Sequence, residues 1–548
     1  MHIDFSNIDK LKPRILIVDN NPTARIANQS LLLDLGYEPI IAMGAGNSLL
    51  VDAKRKAQER RCALALIDLR LMDDDDEQDI SGLILAEEMA DKLRPIILSG
   101  FENPNILRKM LQKHTEIGFI SKMDNRDIFQ ETLDSEAAKV TAAKRKLIFE
   151  NPKVLDEIAI SPLGQHANEY PDQIADVFAR LFPKAKKLRF EKLELRPVSS
   201  NVSTVPRPTS VVMKVYEGDF EPFLIKLARA EKINVEVTKY NTHIHRRMTG
   251  YFSSRLERSA TLWDIGGAAY SYVGEFDVKT FSRFYEEKDI AEIEECLTSF
   301  FGRIWARHYE QARNETNVSL FKLYSKVWDN WYEKRKMDYF ARDFNGSNGL
   351  SQNLHIPEPI TWFKEKIAET TNDISIVGAT RIAITHGDLH GDNLLVDSQR
   401  NSWVIDFERC GEGHALQDFI ELEADIINRL EEHNPDLAAY FKMCFTVLKQ
   451  KNIQRLDTLE CTSADPRIKK ALQTISVLRS LAVQHTKIND AREYLYGLLF
   501  NMIFRASMID KTGSKNSQRS LWIASLICHR LDHWDDACWP PAEFNLHK

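Results

Sequence analysis

Short apolar runs alternate with longer stretches of mixed polarity over the first 125 residues. RILIVDN (14–20) reads as a buried strand, and PTARIANQSLLLDLGY after it carries apolar residues at helical spacing. ALALIDLRL (63–71), SGLILAEEMADKL, RPIILSG (94–100) and IGFISKMD (117–124) repeat the alternation. Strands that alternate with helices predict a parallel α/β sheet, here doubly wound and five-stranded, over residues 1–125.

The pattern then changes. RDIFQETLDSEAAKVTAAKRKLIF favours helix throughout, with Leu133, Val140 and Leu147 at heptad spacing. One row of three points to a helix packed on a neighbouring domain rather than to a coiled coil. Pro and Gly punctuate ENPKV and ISPLGQHANEYPDQ, after which QIADVFARLF reads as a second helix and KLRFEKLELRPV as strand. Residues 126–190 are therefore expected to be a helical linker, and 191–275 and 276–548 the two parts of a second module.

Composition narrows the class. The chain has 548 residues, 43% apolar and 28% charged, with a net charge of −7, which argues against a dedicated nucleic-acid or anionic-membrane binder. The basic clusters KRK (144–146) and KAKK (184–187) sit beside acids and read as solvated helix faces. Seven scattered cysteines, no basic-then-apolar start in MHIDFSNIDKLKPR and no membrane-length apolar run give the expectation of a cytoplasmic protein. No helix-turn-helix with a basic recognition helix is visible, so DNA binding is not expected. Cys528, His529, His533 and Cys538 in CHRLDHWDDACW have some of the spacing of a zinc site, but no further motif supports it and a surface helix is favoured.

The strand ends of the first module carry chemistry. Asp19 ends the first strand, Asp68 the third, Ser99 the fourth and Lys122 the fifth. A carboxylate that accepts a phosphoryl group needs Mg2+ against the incoming charge, with a cation and a hydroxyl to hold the product oxygens. The set resembles the receiver domain of bacterial response regulators. That resemblance implies Asp68 as phosphoacceptor, Asp19 (with Asp68) as a Mg2+ ligand, Ser99 and Lys122 as switch residues and Phe119 as the rotating aromatic. Asn20 stands where the family usually has a second acid, Met123 where it commonly has proline, and the loop RLMDDDDEQDISG is long and acidic.

A second constellation lies in ITHGDLHGDNLLVDSQRNSWVIDFE, residues 384–408, where H-G-D-x-x-x-x-N precedes a strand ending in Asp406. Transfer from ATP needs a carboxylate to orient the attacking hydroxyl and oxygen ligands to hold Mg2+ on the phosphates. Asp388 suits the first task; Asn393 and Asp406 suit the second. Two carboxylates about 4 Å apart repel by roughly 4 kcal/mol at an effective dielectric of about 20, a repulsion that a divalent cation removes.

The segment resembles the catalytic loop of the aminoglycoside phosphotransferase and choline kinase group, within the protein-kinase-like superfamily. The resemblance implies an α+β bilobal domain with supporting roles for His386, His390 and, on the next helix, Asp418. It also calls for an upstream lysine and glutamate, which EPFLIKLARAEKINVEVTKYNTHI supplies as Lys226 and Glu236; Lys214 and Glu231 are the alternatives. SSNVSTVPRPT, where a phosphate-covering loop belongs, has no glycine. GGAAYSYVGEFDVKTF (266–281) fits a hinge, and the aromatic-rich stretch 300–378 an insertion shaping the acceptor pocket, although aromatics at helical spacing are more often core.

The sequence thus predicts a signalling protein whose receiver, phosphorylated by a sensor histidine kinase or phosphotransfer protein, regulates an ATP- and Mg2+-dependent phosphotransferase acting on a hydroxyl acceptor. A regulatory pseudokinase is the alternative. A homodimer is left open.

Overall fold

Alternation along β1 (Arg14–Val18) decides the first sheet: Ile15 and Ile17 enter one core, Leu16 and Val18 the other. Strands β2 (Glu38–Ile41), β3 (Leu64–Asp68), β4 (Arg94–Ser99) and β5 (Gly118–Ser121) complete a parallel sheet of order β2-β1-β3-β4-β5. One face packs on α2 (Asn47–Arg60) and α3 (Ser81–Met89), the other on α1 (Pro22–Asp34) and α4 (Arg126–Val140). Apolar runs do not reveal β2. It is a short edge strand containing Pro39, and edges tolerate that residue.

The structure, a computed structural model, describes residues 11–73, 76, 78–100, 115–152, 154–155, 171–193, 210–245, 247, 254–272, 278–335, 337, 356–369, 378–429, 437–454, 464–507 and 515–540. The chain forms two compact units, Met1–Leu193 with Arg207–Val237 and Arg255–Tyr272, and Glu194–Pro206 with Thr238–Ser254 and Val273–Lys548.

The expected helical linker is corrected. Helix α4 stops at Val140 because Thr141 is extended (φ −113°, ψ 129°), and only the short α5 (Ala142–Arg145) follows. The heptad row is split: Leu133 lies in a core of the first sheet, Leu147 in that of a second. Residues 148–192 supply β6 (Ile148–Glu150), α6 (Pro171–Leu181) and β7 (Lys187–Lys192). Leu188 and Phe190 are the inward positions of an alternating strand, whereas β6 is too short to display a period. With β8 (Ser210–Glu217), β9 (Phe223–Arg229), β10 (Leu256–Leu262) and β11 (Ile265–Ser271) they form a sheet of order β10-β11-β9-β8-β7-β6, antiparallel except for β6–β7. Helix α7 (Ala230–Lys239) follows β9 directly.

Both sheets belong to the first unit and touch. Trp263 packs against the cores of both and donates from Nε1 to the Cys62 carbonyl at 3.1 Å. Arg180 on α6 donates to the carbonyls of Lys92 (3.1 Å) and Thr261 (3.2 Å).

The second unit holds two three-stranded sheets. One comprises β12 (Lys279–Thr280), β15 (Leu394–Val396) and β16 (Ser402–Val404), the other β13 (Arg313–Thr316), β14 (Ala379–Thr385) and β17 (Gly411–His414). Helix α8 (Gln417–Arg429) leads into longer helices at Pro466–Thr486, Ala491–Ser507 and Lys515–Asp532. Among the described residues no helix is long and apolar enough to cross a membrane.

The first sheet packs tightly where α3 meets the end of β3. A Cβ on Gly82 would sit 1.8 Å from the Asp68 carbonyl oxygen and 2.9 Å from that of Leu69. Gly82→Ala is expected to lower stability in urea by about 1–3 kcal/mol. Ile84→Ala on the exposed side of the same helix should stay within about 0.5 kcal/mol. Equal midpoints for the two variants would refute the close approach.

Candidate functional site

The parallel sheet brings three sequence-predicted residues together at its carboxyl edge. Lys122, just after β5, places Nζ 2.9 Å from Asp68 Oδ1 and 3.9 Å from Asp19 Oδ2. Asp68 Oδ1 also accepts from the Leu69 N–H (2.9 Å), and Asp19 Oδ1 from the Asn21 N–H (2.8 Å). Burial pushes the Asp68 carboxyl up to about 6, with Lys122 opposing the rise and Asp19 adding to it. Ser99 is buried at the end of β4, one residue beyond Leu98, the register partner of Asp68. Phe119, in register with Ile97, is half-buried against one core.

The acidic loop after Asp68 has an identifiable structural member. Asp79 accepts from the N–H groups of Met72 (2.9 Å), Asp73 (3.0 Å) and Ser81 (2.8 Å), so its carboxylate shapes the loop. Asp74, Asp75 and Glu77 lie outside the described residues.

In the same unit, Lys226 on β9 and Glu236 on α7 form a buried ion pair, Nζ to Oε2 2.6 Å. Tyr270 on β11 donates to the other Glu236 oxygen at 2.6 Å, a partner that sequence reasoning missed. The alternatives separate: Glu231 is exposed, and Lys214 lies over the Tyr272 ring, 4.7 Å from its centroid. A buried pair needs this kind of additional hydrogen bond to offset the loss of water.

In the second unit, the loop between β14 and β15 is held by α8. Asp418 accepts from the N–H groups of His386 and Gly387, both at 3.0 Å, and from the Tyr309 hydroxyl at 2.8 Å. Glu421 accepts from the Leu389 N–H at 2.7 Å, and Asp425 from the Gly391 N–H at 2.8 Å. Glu421 also receives Trp328 Nε1 (3.2 Å) and Gln417 Nε2 (3.0 Å). Residues 418, 421 and 425 share one helix face, the spacing that meets a chain running along it. Of the three only Asp418 is anticipated from the motif. Acids at helical period inside QDFIELEADIINR are the signal for the others.

The loop needs its glycines. Gly387 has φ +77°, and a Cβ there would meet the Arg409 carbonyl at 2.5 Å; on Gly391 it would meet Ser282 Oγ at 2.4 Å. Burial lowers the His386 pKa, and its ring donates from Nε2 to the Ile405 carbonyl at 3.0 Å, just before Asp406. Asp406 itself is left-handed (φ 70°, ψ 75°), a strained setting for a residue other than glycine. Asn393 donates from Nδ2 to the Asp388 carbonyl at 2.9 Å. His390 Nδ1 accepts from the Asp392 N–H at 3.3 Å and so braces the turn. Arg409, missed from sequence, donates from Nη1 to Asp388 Oδ1 at 2.7 Å.

The donors fit a hard cation. Asp406 and Asn393 offer oxygen, as do Asp19 and Asp68 in the first sheet, and Mg2+ commonly takes only one or two carboxylates beside phosphate and water. Among the described residues no three His, Cys, Asp or Glu side chains form a metal cluster. His529 and His533 stack at 4.1 Å instead, and His529 Nδ1 accepts from Trp539 Nε1 at 3.0 Å. The segment 199–209, residues 273–277 of the expected hinge, and 338–355 and 370–377 of the aromatic-rich stretch lie outside the described residues. Elsewhere in that stretch Trp305, Tyr309, Tyr324, Trp328 and Trp331 are core.

Comparison with known proteins gives one family model, ternary complex associated domain 9, matching residues 334–503. No curated protein matches. Similar solved structures include a signal receiver domain from Vibrio parahaemolyticus (19% identity, 23% of this chain and 90% of that one, TM-score 0.19). An aminoglycoside phosphotransferase from Streptomyces rimosus is 11% identical over 50% of this chain and 92% of that one, with a TM-score of 0.27. An ethanolamine kinase from Plasmodium vivax is 11% identical over 77% of this chain and 93% of that one, with a TM-score of 0.30.

Glu421 gives a test of the braced loop. Burial, then the charges of Asp388 and Asp418, push its carboxyl up to about 8. The folded state therefore binds the extra proton between about pH 4.5 and 8, and this contribution to stability is lost as pH rises through that window. Glu421→Gln should nearly match the wild type in urea at pH 5 and gain on it at pH 8.5. A difference independent of pH would rule out a protonated Glu421.

Proposed function

We propose that the second module is an ATP- and Mg2+-dependent phosphotransferase acting on a hydroxyl acceptor, and that the first sheet is a phosphoaccepting receiver that regulates it. The observation that carries the first half is the loop 386–393, whose N–H groups at 386, 387, 389 and 391 are each held by a buried carboxylate of α8. A loop fixed so thoroughly presents Asp388 with little reorganisation left to perform, which is what general-base orientation requires.

In this reading Asp388 accepts the proton of the attacking hydroxyl. The acceptor oxygen bonds to the γ-phosphorus as the bond to the leaving oxygen breaks. Asn393 and Asp406 would hold the cation, which when bound would supply charge neutralisation on the phosphates. Lys226, oriented by Glu236 within the first unit, is read as a nucleotide-binding residue. His386 and Asp418 fix the backbone on either side of the base. At the first sheet, an Asp68 carboxylate oxygen bonds to the phosphorus of a phosphohistidine on a sensor histidine kinase or phosphotransfer protein as the P–N bond breaks and the imidazole leaves; Asp19 would share the cation, and Lys122 and Ser99 hold the product oxygens. Phe119 is the aromatic that responds. Contacts within the first unit, at Trp263 and Arg180, offer the route by which that state reaches the six-stranded sheet.

A second reading, a pseudokinase that binds nucleotide without transfer, is favoured by one observation: Arg409 already occupies a carboxylate oxygen of Asp388 at 2.7 Å.

Full-length protein with Mg2+ and labelled ATP separates them. Transfer or hydrolysis is expected, falling at least about 100-fold in Asp388→Asn. Nucleotide-dependent thermal stabilisation with no turnover above that variant supports the pseudokinase. For the receiver, a small-molecule phosphoryl donor with Mg2+ should add one phosphoryl group by intact mass, and Asp68→Asn should abolish it. An unchanged yield in Asp68→Asn would remove Asp68 from the role.

A further inference from the structure

Buried and half-buried arginines of the second unit are held by acids or, like Arg530 and Arg381, by two or more backbone carbonyls. Arg479 makes a two-pronged pair with Glu423 (2.7 and 2.9 Å), and Arg505 lies 3.3 Å from Asp425. Arg335 departs from this. It is half-buried, its Nη1 donates to the neutral Ser507 Oγ at 3.0 Å, and among the described residues it forms no ion pair. A guanidinium removed from water without a counter-charge is a liability unless an anion arrives from outside.

Its surroundings say where that anion would sit. The Arg335 guanidinium carbon lies 5.3 Å from the centroid of the Phe504 ring, and that of Arg409 lies 5.3 Å from the same centroid. Trp328 stacks on Phe504, centroids 4.4 Å apart and planes 7° from parallel, and so covers one face. The two cations are left to share the remaining face and edges of one ring. They feel each other: burial and then the charge of Arg409 lower the pKa of Arg335. Asp388 balances one of the two charges, through Arg409.

We propose that Arg335 and Arg409 form a phosphate-binding subsite beside Asp388, and that the hydroxyl acceptor itself carries a phosphate monoester. The proposal rests on the phosphotransferase reading for the word acceptor, but the subsite is a binding property that needs no turnover. A carboxylate would be satisfied by one guanidinium fork. A dianion bridges two, and it is the group that two neighbouring arginines bind most strongly. Its arrival also draws Arg409 from Asp388, so the base is released only when an acceptor is seated. The ion pair that favours a pseudokinase becomes, on this account, a latch opened by the substrate.

Inorganic phosphate titrated by calorimetry into the full-length chain, without nucleotide or Mg2+, tests this. Arg335→Ala should weaken phosphate binding roughly tenfold or more, and Arg335→Lys less. Asp388→Asn should strengthen it, because a competing carboxylate is gone while Arg335 is intact; this arm does not depend on how Arg335→Ala folds. Acetate should bind more weakly than phosphate. Equal phosphate affinity in the wild type and a folded Arg335→Ala, or no gain in Asp388→Asn, overturns the subsite. If the phosphate results come out as expected but no alcohol, phosphorylated or not, accepts a phosphoryl group, the subsite stands and the transferase reading fails. Transfer to cationic alcohols that is unaffected by Arg335→Ala does the reverse.

Discussion

Four backbone N–H groups between His386 and Gly391 point away from water into a row of carboxyl groups on α8, and the shape of the loop depends on that match. A buried amide without an acceptor is costly, so the loop has one conformation available to it. The acids need support in turn. Tyr309 serves Asp418, Trp328 and Gln417 serve Glu421, and Arg505 serves Asp425. The shape of the loop is therefore set less by its own residues than by a helix some thirty positions later, whose acids would be intolerable if the loop were elsewhere. Each half explains the other.

The parts legible in the sequence are those where one residue type has few competitors. A strand buried on both faces must be continuously apolar, so β1, β3 and β4 announce themselves. The spacing from His386 to Asn393 encodes a loop, because glycine at 387 is demanded by a positive φ and a backbone carbonyl at 2.5 Å, and any Cβ at 391 would have to displace Ser282 Oγ at 2.4 Å. Position relative to a strand and the following helix favours Lys226 and Glu236 over Lys214 and Glu231, and the burial of the pair follows from the same geometry.

What stayed hidden depends on tertiary partners. Local pattern predicts one continuous helix over 126–149, but it breaks at Thr141, where the Asp176 side chain of α6 receives the Ala142 N–H at 2.6 Å and caps a new helix. No local propensity records a cap that arrives from more than thirty residues away. Tyr270 and Arg409 are silent for the same reason: a tyrosine in a strand and an arginine after a turn are ordinary until Glu236 and Asp388 are placed beside them. The acidic loop after Asp68 hides a structural member among its charges. It is not merely a solvated run, because Asp79 is engaged with three N–H groups of its own loop.

Three carboxylate–cation pairs stand at the candidate sites, and their exposure separates them. Lys226 and Glu236 are 3% and 0% exposed, so opening that pair would strand two charges in a dry interior; it is a fixture. Asp68 is as enclosed as a core residue, but Lys122 is 40% exposed and can exchange its partner for water or for a phosphoryl oxygen at little cost. Asp388 and Arg409, at 31% and 24%, lie between the two. Their attraction is weakened by solvent on the carboxylate side, and Phe504 receives the guanidinium whether or not the carboxylate holds it. A pair of this kind is stable in the absence of a competitor and yields to a doubly charged one. The same physics that makes Lys226 permanent makes Arg409 displaceable, and the difference lies in how much water each pair still sees.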